Sequence, residues 1–293
     1  MKDCYITNPL YPYNYERMCL CIRRLTKCYG DIIHRLSGGV STQGRSIELL
    51  SLGKGKRLIL CVGAIHGREY VSVAFLLRCM EEYAKAFCKE ELFCGFDVKK
   101  ILSSYTFHFV PAANPDSVEI ALSRAKPCVD VEDFSSFFYK NNANNVNINA
   151  NFPFEWENVP KSRQGGTCAE SESETRFLTE LCEKYPYEKM LSFHSRGDCI
   201  YWRDKANGKI DSDEELSEAL HRVCGFSLCP ETKNVKAYSG GFENWFRHKY
   251  RKPALCIELI SDEDAPFDLC CRDFFRLTRF GKTKCAVLVA SSV

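Results

Sequence analysis

Over residues 15–29 the apolar positions fall at helical spacing, with Met18, Cys21, Ile22 and Leu25 on one face, which predicts an amphipathic helix. The period then changes. Short apolar runs over residues 46–52 and 57–62 predict strands, and Gly53-Lys-Gly-Lys56 between them predicts a hairpin turn. That turn has glycine and lysine but lacks the Gly-x4-Gly-Lys-Ser/Thr spacing of a phosphate loop. Residues 70–87 predict a long helix, and residues 106–110 a strand that ends at Pro111. Ser171-x-x-Glu174 and Ser212-x-x-Glu215 have the form of capping boxes, opening helices that run to about Tyr185 and Cys224. Residues 190–193, 199–202 and 254–259 predict further strands, and residues 274–288 a closing helix. Strands alternating with helices predict an α/β fold: a mixed twisted sheet with helices on both faces.

Composition narrows the class. The chain has 293 residues, 45% of them apolar, enough for one large α/β domain or two ordinary ones. No linker, repeat or low-complexity tract divides it, so one catalytic-sized domain over residues 1–293 is expected, with residues 1–14 a short N-terminal extension. The net charge is +2 and basic residues cluster only in pairs such as Arg23-Arg24 and Lys99-Lys100, which gives no footprint for nucleic acid or an acidic membrane. No apolar run reaches the roughly 18 residues of a membrane span. The start, Met1-Lys-Asp-Cys, lacks an apolar signal region, so a cytoplasmic location is expected, with non-classical release left open. Eighteen cysteines are many. Several (Cys61, Cys79, Cys182, Cys256, Cys285) stand in apolar runs and read as small core residues. No pair of Cys-x-x-Cys motifs has zinc-ribbon spacing; reduced thiols are the simplest account. Oligomeric state is not legible.

Four chemically capable residues fall at or just after the ends of predicted strands: His66, Asn114, His194 and Glu258. In α/β sheets ligands bind outside the carboxyl ends of the strands. His66 and Glu69, three apart where a strand meets a helix, offer a nitrogen and an oxygen that zinc accepts at about 2.0–2.2 Å. His194 offers a third donor. Glu258 sits within Cys256-Ile-Glu258-Leu-Ile260, where desolvation raises a carboxyl pKa and suits a general base. Each has a plainer reading: a satisfied structural histidine, or a carboxylate paired with an arginine.

The order of His66-Gly-Arg-Glu69, Asn114-Pro-Asp116, Asn145-Val-Asn-Ile-Asn149-Ala-Asn-Phe152, His194-Ser195 and Glu258-Leu259 resembles the zinc carboxypeptidase (metallocarboxypeptidase) family from about Tyr15 to the end. The resemblance implies one zinc ion per chain, held by His66, Glu69 and His194 with a water in the fourth position. It also implies Glu258 as the base that activates this water and then protonates the leaving amine. Departures concern the substrate. Asn149 is kept, but the arginine that grips a C-terminal carboxylate in digestive members is Ala150. The substrate tyrosine position falls on Lys236, with Tyr238 displaced by two. The oxyanion arginine aligns with Lys140, a point charge without the fork. Tyr139-Lys-Asn-Asn-Ala-Asn, Phe193-His-Ser-Arg196 and Gly241-Phe-Glu-Asn-Trp-Phe246 look like the bacterial γ-D-glutamyl-diaminopimelate endopeptidase branch, which cuts cell-wall stem peptides. In that branch Arg196 stands where a small polar residue is common, so it is a candidate for a substrate carboxylate. The expected partner is a murein stem peptide. Two other readings stay open: a conventional carboxypeptidase or amidase on acidic peptides, and a silent binding module of the same fold.

Overall fold

The computed structural model of the chain describes residues 5–231, 236, 238–262 and 264–293. Helix α1 (Tyr15–Cys28) is opened by Asn14, whose side chain accepts the Arg17 N–H, and it buries Met18, Cys21, Ile22 and Leu25. Strands β1 (Ile33–Val40), β2 (Ser46–Gly53) and β3 (Arg57–Gly63) follow. Then come α2 (Val71–Lys89), a small hairpin of β4 (Leu92–Phe93) and β5 (Phe96–Asp97), α3 (Val98–Ser104), β6 (Tyr105–Val110) and α4 (Pro115–Ala121). A long segment with several 3₁₀ turns leads to α5 (Ser173–Lys184), β7 (Tyr187–His194), β8 (Cys199–Tyr201) and α6 (Asp213–Cys224). The chain continues through β9 (Ser227–Leu228), α7 (Phe242–Tyr250) and β10 (Ala254–Glu258) to four short helical turns, α8 (Phe267–Arg272), α9 (Phe274–Leu277), α10 (Phe280–Thr283) and α11 (Ala286–Val289).

Eight strands form one sheet in the order β1-β2-β6-β3-β7-β10-β8-β9. The centre, β6-β3-β7-β10, is parallel; β2 and β8 run antiparallel to it. The sheet is therefore mixed, as its sequence predicts. Parallel strands are buried on both faces, and alternate residues serve the two sides. Ile59 and Cys61 join the core formed with α1 and α2, while Leu60 and Val62 join that of α5 and α7. Every described cysteine is a free thiol. Among the described residues, no helix is long and apolar enough to cross a membrane.

Three sequence expectations fail in informative ways. Strands β2 and β3 are not a hairpin: β6 lies between them, antiparallel to one and parallel to the other. The link over residues 54–56 crosses the end of β6, where Lys54 and Gly55 donate to the carbonyls of Leu102 and Tyr105. A Cβ on Gly55 would lie 1.9 Å from the Ser104 carbonyl carbon, so the glycine serves a close crossing, not a turn. The capping boxes do not form either: the N-cap residues Glu172 and Ser212 make no side-chain cap bond, and Glu174 instead accepts the N–H of Thr42. Residues 274–288 are broken into turns. Arg279 there adopts a left-handed conformation, its guanidinium paired with Asp198 and donating to the Gly225 carbonyl.

Candidate active site

Three parallel strands end side by side. His194 closes β7, Glu258 closes β10 in register with it, and His66 follows β3 by three residues. The loop after β3 is clamped: Ala113 and Asn114 donate backbone N–H groups to Gly63 and Ala64, and the Asn114 side-chain amide donates to Ile65. Glu69 sits in the 3₁₀ turn Gly67–Glu69, which presses on α4. A Cβ on Gly67 would lie 2.2 Å from the Ser117 carbonyl carbon, and its N–H donates to Ser117 Oγ at 3.1 Å. Asn114 and Ser117 thus support the loop that carries His66 and Glu69, while Asp116 is engaged by Ser41, Gln43 and Arg45.

The Glu69 carboxylate lies between two imidazoles. His66 Nδ1 is 3.0 Å from Oε1, and His194 Nδ1 is 3.0 Å from Oε2. Burial opposes ionisation of Glu69, but His66 and His194 outweigh it and hold its pKa below the usual carboxylate range. Burial likewise opposes a charged His194, yet hydrogen bonds to Glu243 and Glu69 keep its pKa well above the ordinary value. Ligand atoms of His66, Glu69 and His194 all lie within 4.8 Å of one another. Two imidazoles and a carboxylate suit zinc with an open position. The far ring nitrogens are also held, His66 Nε2 by Asn147 Oδ1 at 3.2 Å and His194 Nε2 by Ser192 Oγ at 2.9 Å, with Glu243 Oε1 at 3.4 Å. Metal-binding histidines are oriented in this way. A second group, His194, Glu243 and Cys256, is equally compact. Burial raises the Cys256 thiol well above its usual pKa, so it stays protonated and ligates poorly. The first group is the better fit to zinc.

These residues open on a cleft of about 320 Å³, lined also by Lys140, Asn149, Arg163, Tyr201, Tyr238 and Glu258. Glu258 keeps some exposed area, but protein crowds it closely. That burial, with Glu69 next to it, raises its pKa to about 8, and its Oε2 has no hydrogen-bond partner among the described residues. Lys140 is half-buried; burial and then Arg68 lower its pKa, and its carbonyl accepts the Gly67 N–H. Asn149 Oδ1 accepts the Phe242 N–H at 2.7 Å. Tyr238 stands at the rim, its ring 6.0 Å from that of Tyr201.

The other expected substrate residues lie elsewhere. Arg196 turns from the cleft, donating to the Ala265 carbonyl at 2.5 Å with its guanidinium 4.6 Å over the Phe267 ring. Lys236 is exposed and does not line the cleft. Ala150 is fully buried. Sequence reasoning missed Asn147, Glu243 and Arg163. The first two lie within motifs already singled out; Arg163 lies in an irregular loop that carries no motif.

The zinc carboxypeptidase family matches residues 18–274. A γ-D-glutamyl-L-diamino acid endopeptidase 1 from Lysinibacillus sphaericus is 23% identical over 276 residues, covering 87% of this chain and 67% of that protein. Among solved structures, thrombin activatable fibrinolysis inhibitor superposes with a TM-score of 0.78 at 18% identity, over 97% of this chain and 74% of that one. The murein-tripeptide amidase MpaA from Escherichia coli O157 gives 0.53 at 18% identity, over 86% and 91%. With the family matching most of its length and a candidate ligand set assembled at the strand ends, this chain belongs to the zinc carboxypeptidase family and is a zinc metallopeptidase.

Proposed function

We propose that the protein hydrolyses the amide bond between the γ-carboxyl of D-glutamate and a diamino acid in murein stem peptides. The observation that carries the hydrolytic part is Glu258 Oε2, buried with no hydrogen-bond partner among the described residues, beside the His66, Glu69 and His194 group. His66, Glu69 and His194 would hold the zinc ion, which would supply Lewis acidity for the scissile carbonyl and for water. Glu258 takes the proton of the attacking water on Oε2 and hands it to the departing amine nitrogen. Burial and Glu69 raise its pKa, and a cation held beside it would act in the opposite direction and favour the carboxylate that accepts the proton. The Lys140 ammonium meets the charge that develops on the carbonyl oxygen.

Two features support the substrate. The Lysinibacillus relative is named for this bond. The position of a carboxylate-gripping arginine in the Asn-rich segment is Ala150, sealed from the cleft. The test is incubation of the zinc-loaded protein with L-Ala-γ-D-Glu-meso-diaminopimelate and with a hippuryl amino acid, with products read by mass spectrometry. Release of diaminopimelate with a higher kcat/KM than the hippuryl substrate is the expected result. The reverse order makes the protein a conventional carboxypeptidase.

A further inference from the structure

We propose that Cys94, Cys285 and Cys224 form a thiol relay, a modification site at which a low-molecular-weight disulfide oxidises the buried Cys224 and Cys285 to an internal disulfide. The three come from segments far apart in sequence. Cys94 stands exposed in the two-residue turn between β4 and β5, where it and Gly95 both have positive φ, 52° and 84°. Asn-Gly usually fills such a turn, so backbone preference does not account for the cysteine. Cys224 is the last residue of α6 and Cys285 the N-cap of α11, and both are buried. Their sulfurs lie 4.0 Å apart. An approach of about 2 Å brings them to the disulfide length of about 2.05 Å.

The backbone beside each is held. Gly225 donates its N–H to the His221 carbonyl and accepts from Arg279, which also pairs with Asp198. The Lys284 carbonyl accepts from Tyr83 and Cys79, and its ammonium lies 4.8 Å from the Phe93 ring, next to Cys94. Cys285 differs from the other core thiols. Burial raises the pKa of Cys61 and Cys182, which keeps them inert. At Cys285 the hydrogen bond with Cys224 outweighs burial and lowers the pKa, and Cys94 and Lys284 act in the same direction. Cys285 is therefore the most readily ionised of the three, with a buried thiol on one side and an exposed one on the other.

The exchange runs in three steps. With glutathione disulfide as the oxidant, the Cys94 thiolate attacks one of its sulfurs and releases the first glutathione. The Cys285 thiolate attacks the Cys94 sulfur of this mixed disulfide and releases the second. Cys224 then attacks the Cys285 sulfur, and its proton goes to the departing Cys94. Two protein thiols are oxidised and one disulfide is reduced to two glutathiones, which take the protons of Cys94 and Cys285. The product joins positions 61 apart, around β9, α7 and β10, the stretch that carries Glu243 and Glu258. Closing so long a loop restricts the unfolded chain and stabilises the fold.

The full chain is incubated in glutathione buffers from reduced to oxidised and denatured in iodoacetamide. Bonds are mapped by mass spectrometry of non-reduced peptides, with fragmentation to separate Cys224 from Cys229. Wild type in oxidised buffer should contain the Cys224–Cys285 bond, with a Tm about 5–10 °C above that of the dithiothreitol-treated protein. Cys94→Ser should form the same bond at least about 10-fold more slowly, because both remaining thiols are out of reach of the oxidant. Cys224→Ser should stop at the Cys94–Cys285 bond. Wild type in which Cys285 stays alkylated, or is joined to a cysteine outside the three, overturns the proposal. So does an unchanged rate in Cys94→Ser. If a variant does not fold, the wild-type time course decides: glutathione on Cys94 must appear before the Cys224–Cys285 bond, and the reverse order overturns the relay.

Discussion

The chain takes carboxylates out of water in two ways. Glu81 and Asp116 are buried with a full complement of donors. Glu81 accepts the N–H groups of Ile6 at 2.7 Å and Thr7 at 2.8 Å; Asp116 accepts from Ser41 Oγ at 2.7 Å, the Gln43 N–H at 2.6 Å and Arg45 at 2.7 Å. At the ends of β3, β7 and β10, Glu69, Glu243 and Glu258 crowd around two histidines: Glu69 lies 3.0 Å from a ring nitrogen of each, Glu243 Oε1 lies 3.4 Å from His194 Nε2, and Glu258 Oε2 has no hydrogen-bond partner among the described residues. A buried carboxylate without donors is costly. The first kind is completed by the chain itself and holds the fold. The second kind is not completed within the described residues, since Glu258 Oε2 lacks a donor. Burial alone does not separate Glu258 from Glu81 and Asp116; the donors within reach do.

The largest effect should follow removal of one donor from the incomplete group. His66→Ala should no longer copurify with zinc and should show no measurable turnover, while its circular dichroism and melting profile stay close to wild type, because the core does not depend on this site. Retained zinc with normal turnover would place the metal elsewhere. Next comes Glu258→Gln, which keeps a side chain of the same shape but cannot carry a proton. Zinc content should persist and kcat should fall by about 10²–10⁴-fold; a near-normal kcat in the zinc-loaded variant transfers the base role to another group. Lys140→Ala should lower kcat by about 10²-fold with a smaller change in KM, the pattern of an interaction made in the transition state. An unchanged kcat returns Lys140 to a loop-anchoring role, through the carbonyl that holds Gly67.

The complete carboxylates predict the opposite separation. Asp116→Asn cannot accept from Ser41, Gln43 and Arg45 at once, and it leaves the Arg45 charge without its partner. Chemical denaturation should show a loss of about 3 kcal/mol, with zinc affinity and kcat per folded molecule unchanged. A large fall in kcat with stability intact would erase the distinction between the two sets.

How far each region could be read in advance follows the same division. The candidate site residues could be picked out because they combine a reactive side chain with a strand end, as at His194 and Glu258, and because motif order added to position. The strand order was not. Strand β1 buries only Ile33 fully, with Leu36 and Gly39 half-buried among exposed residues, so no hydrophobic alternation marks it. Nothing local tells that β6 enters between β2 and β3, since that depends on pairings about fifty residues apart. The Ser171 and Ser212 boxes had the right letters, but Glu174 was claimed by Thr42 in a different segment. Arg163 was invisible for the related reason that its partners, Asn149 and Ser239, belong to two distant loops. Local chemistry was readable; what depends on long-range partners was not.

The smallest effect tests a buried titratable group that lies away from the cleft and is complete only when neutral. His108 on β6 is buried, with Nδ1 2.7 Å from the Tyr187 hydroxyl and its ring 4.7 Å from that of Tyr185. Burial lowers its pKa to about 4, whereas an unfolded histidine titrates near 6.5. Between those values the unfolded chain binds the extra proton and the folded chain does not. The contribution is therefore fully present above about pH 6.5 and is lost as pH falls through about 4. By pH 5 the loss should be about 2 kcal/mol, from roughly 1.4 kcal/mol per pH unit. His108→Gln keeps a polar partner for Tyr187 without titrating, so the stability difference between wild type and variant should drift by that amount between pH 7 and pH 5. Urea denaturation at several pH values reads this directly. A difference that stays constant with pH would mean that His108 takes up its proton in the fold as readily as in the unfolded chain, with hydrogen-bond acceptors beyond the Tyr187 hydroxyl completing its ring.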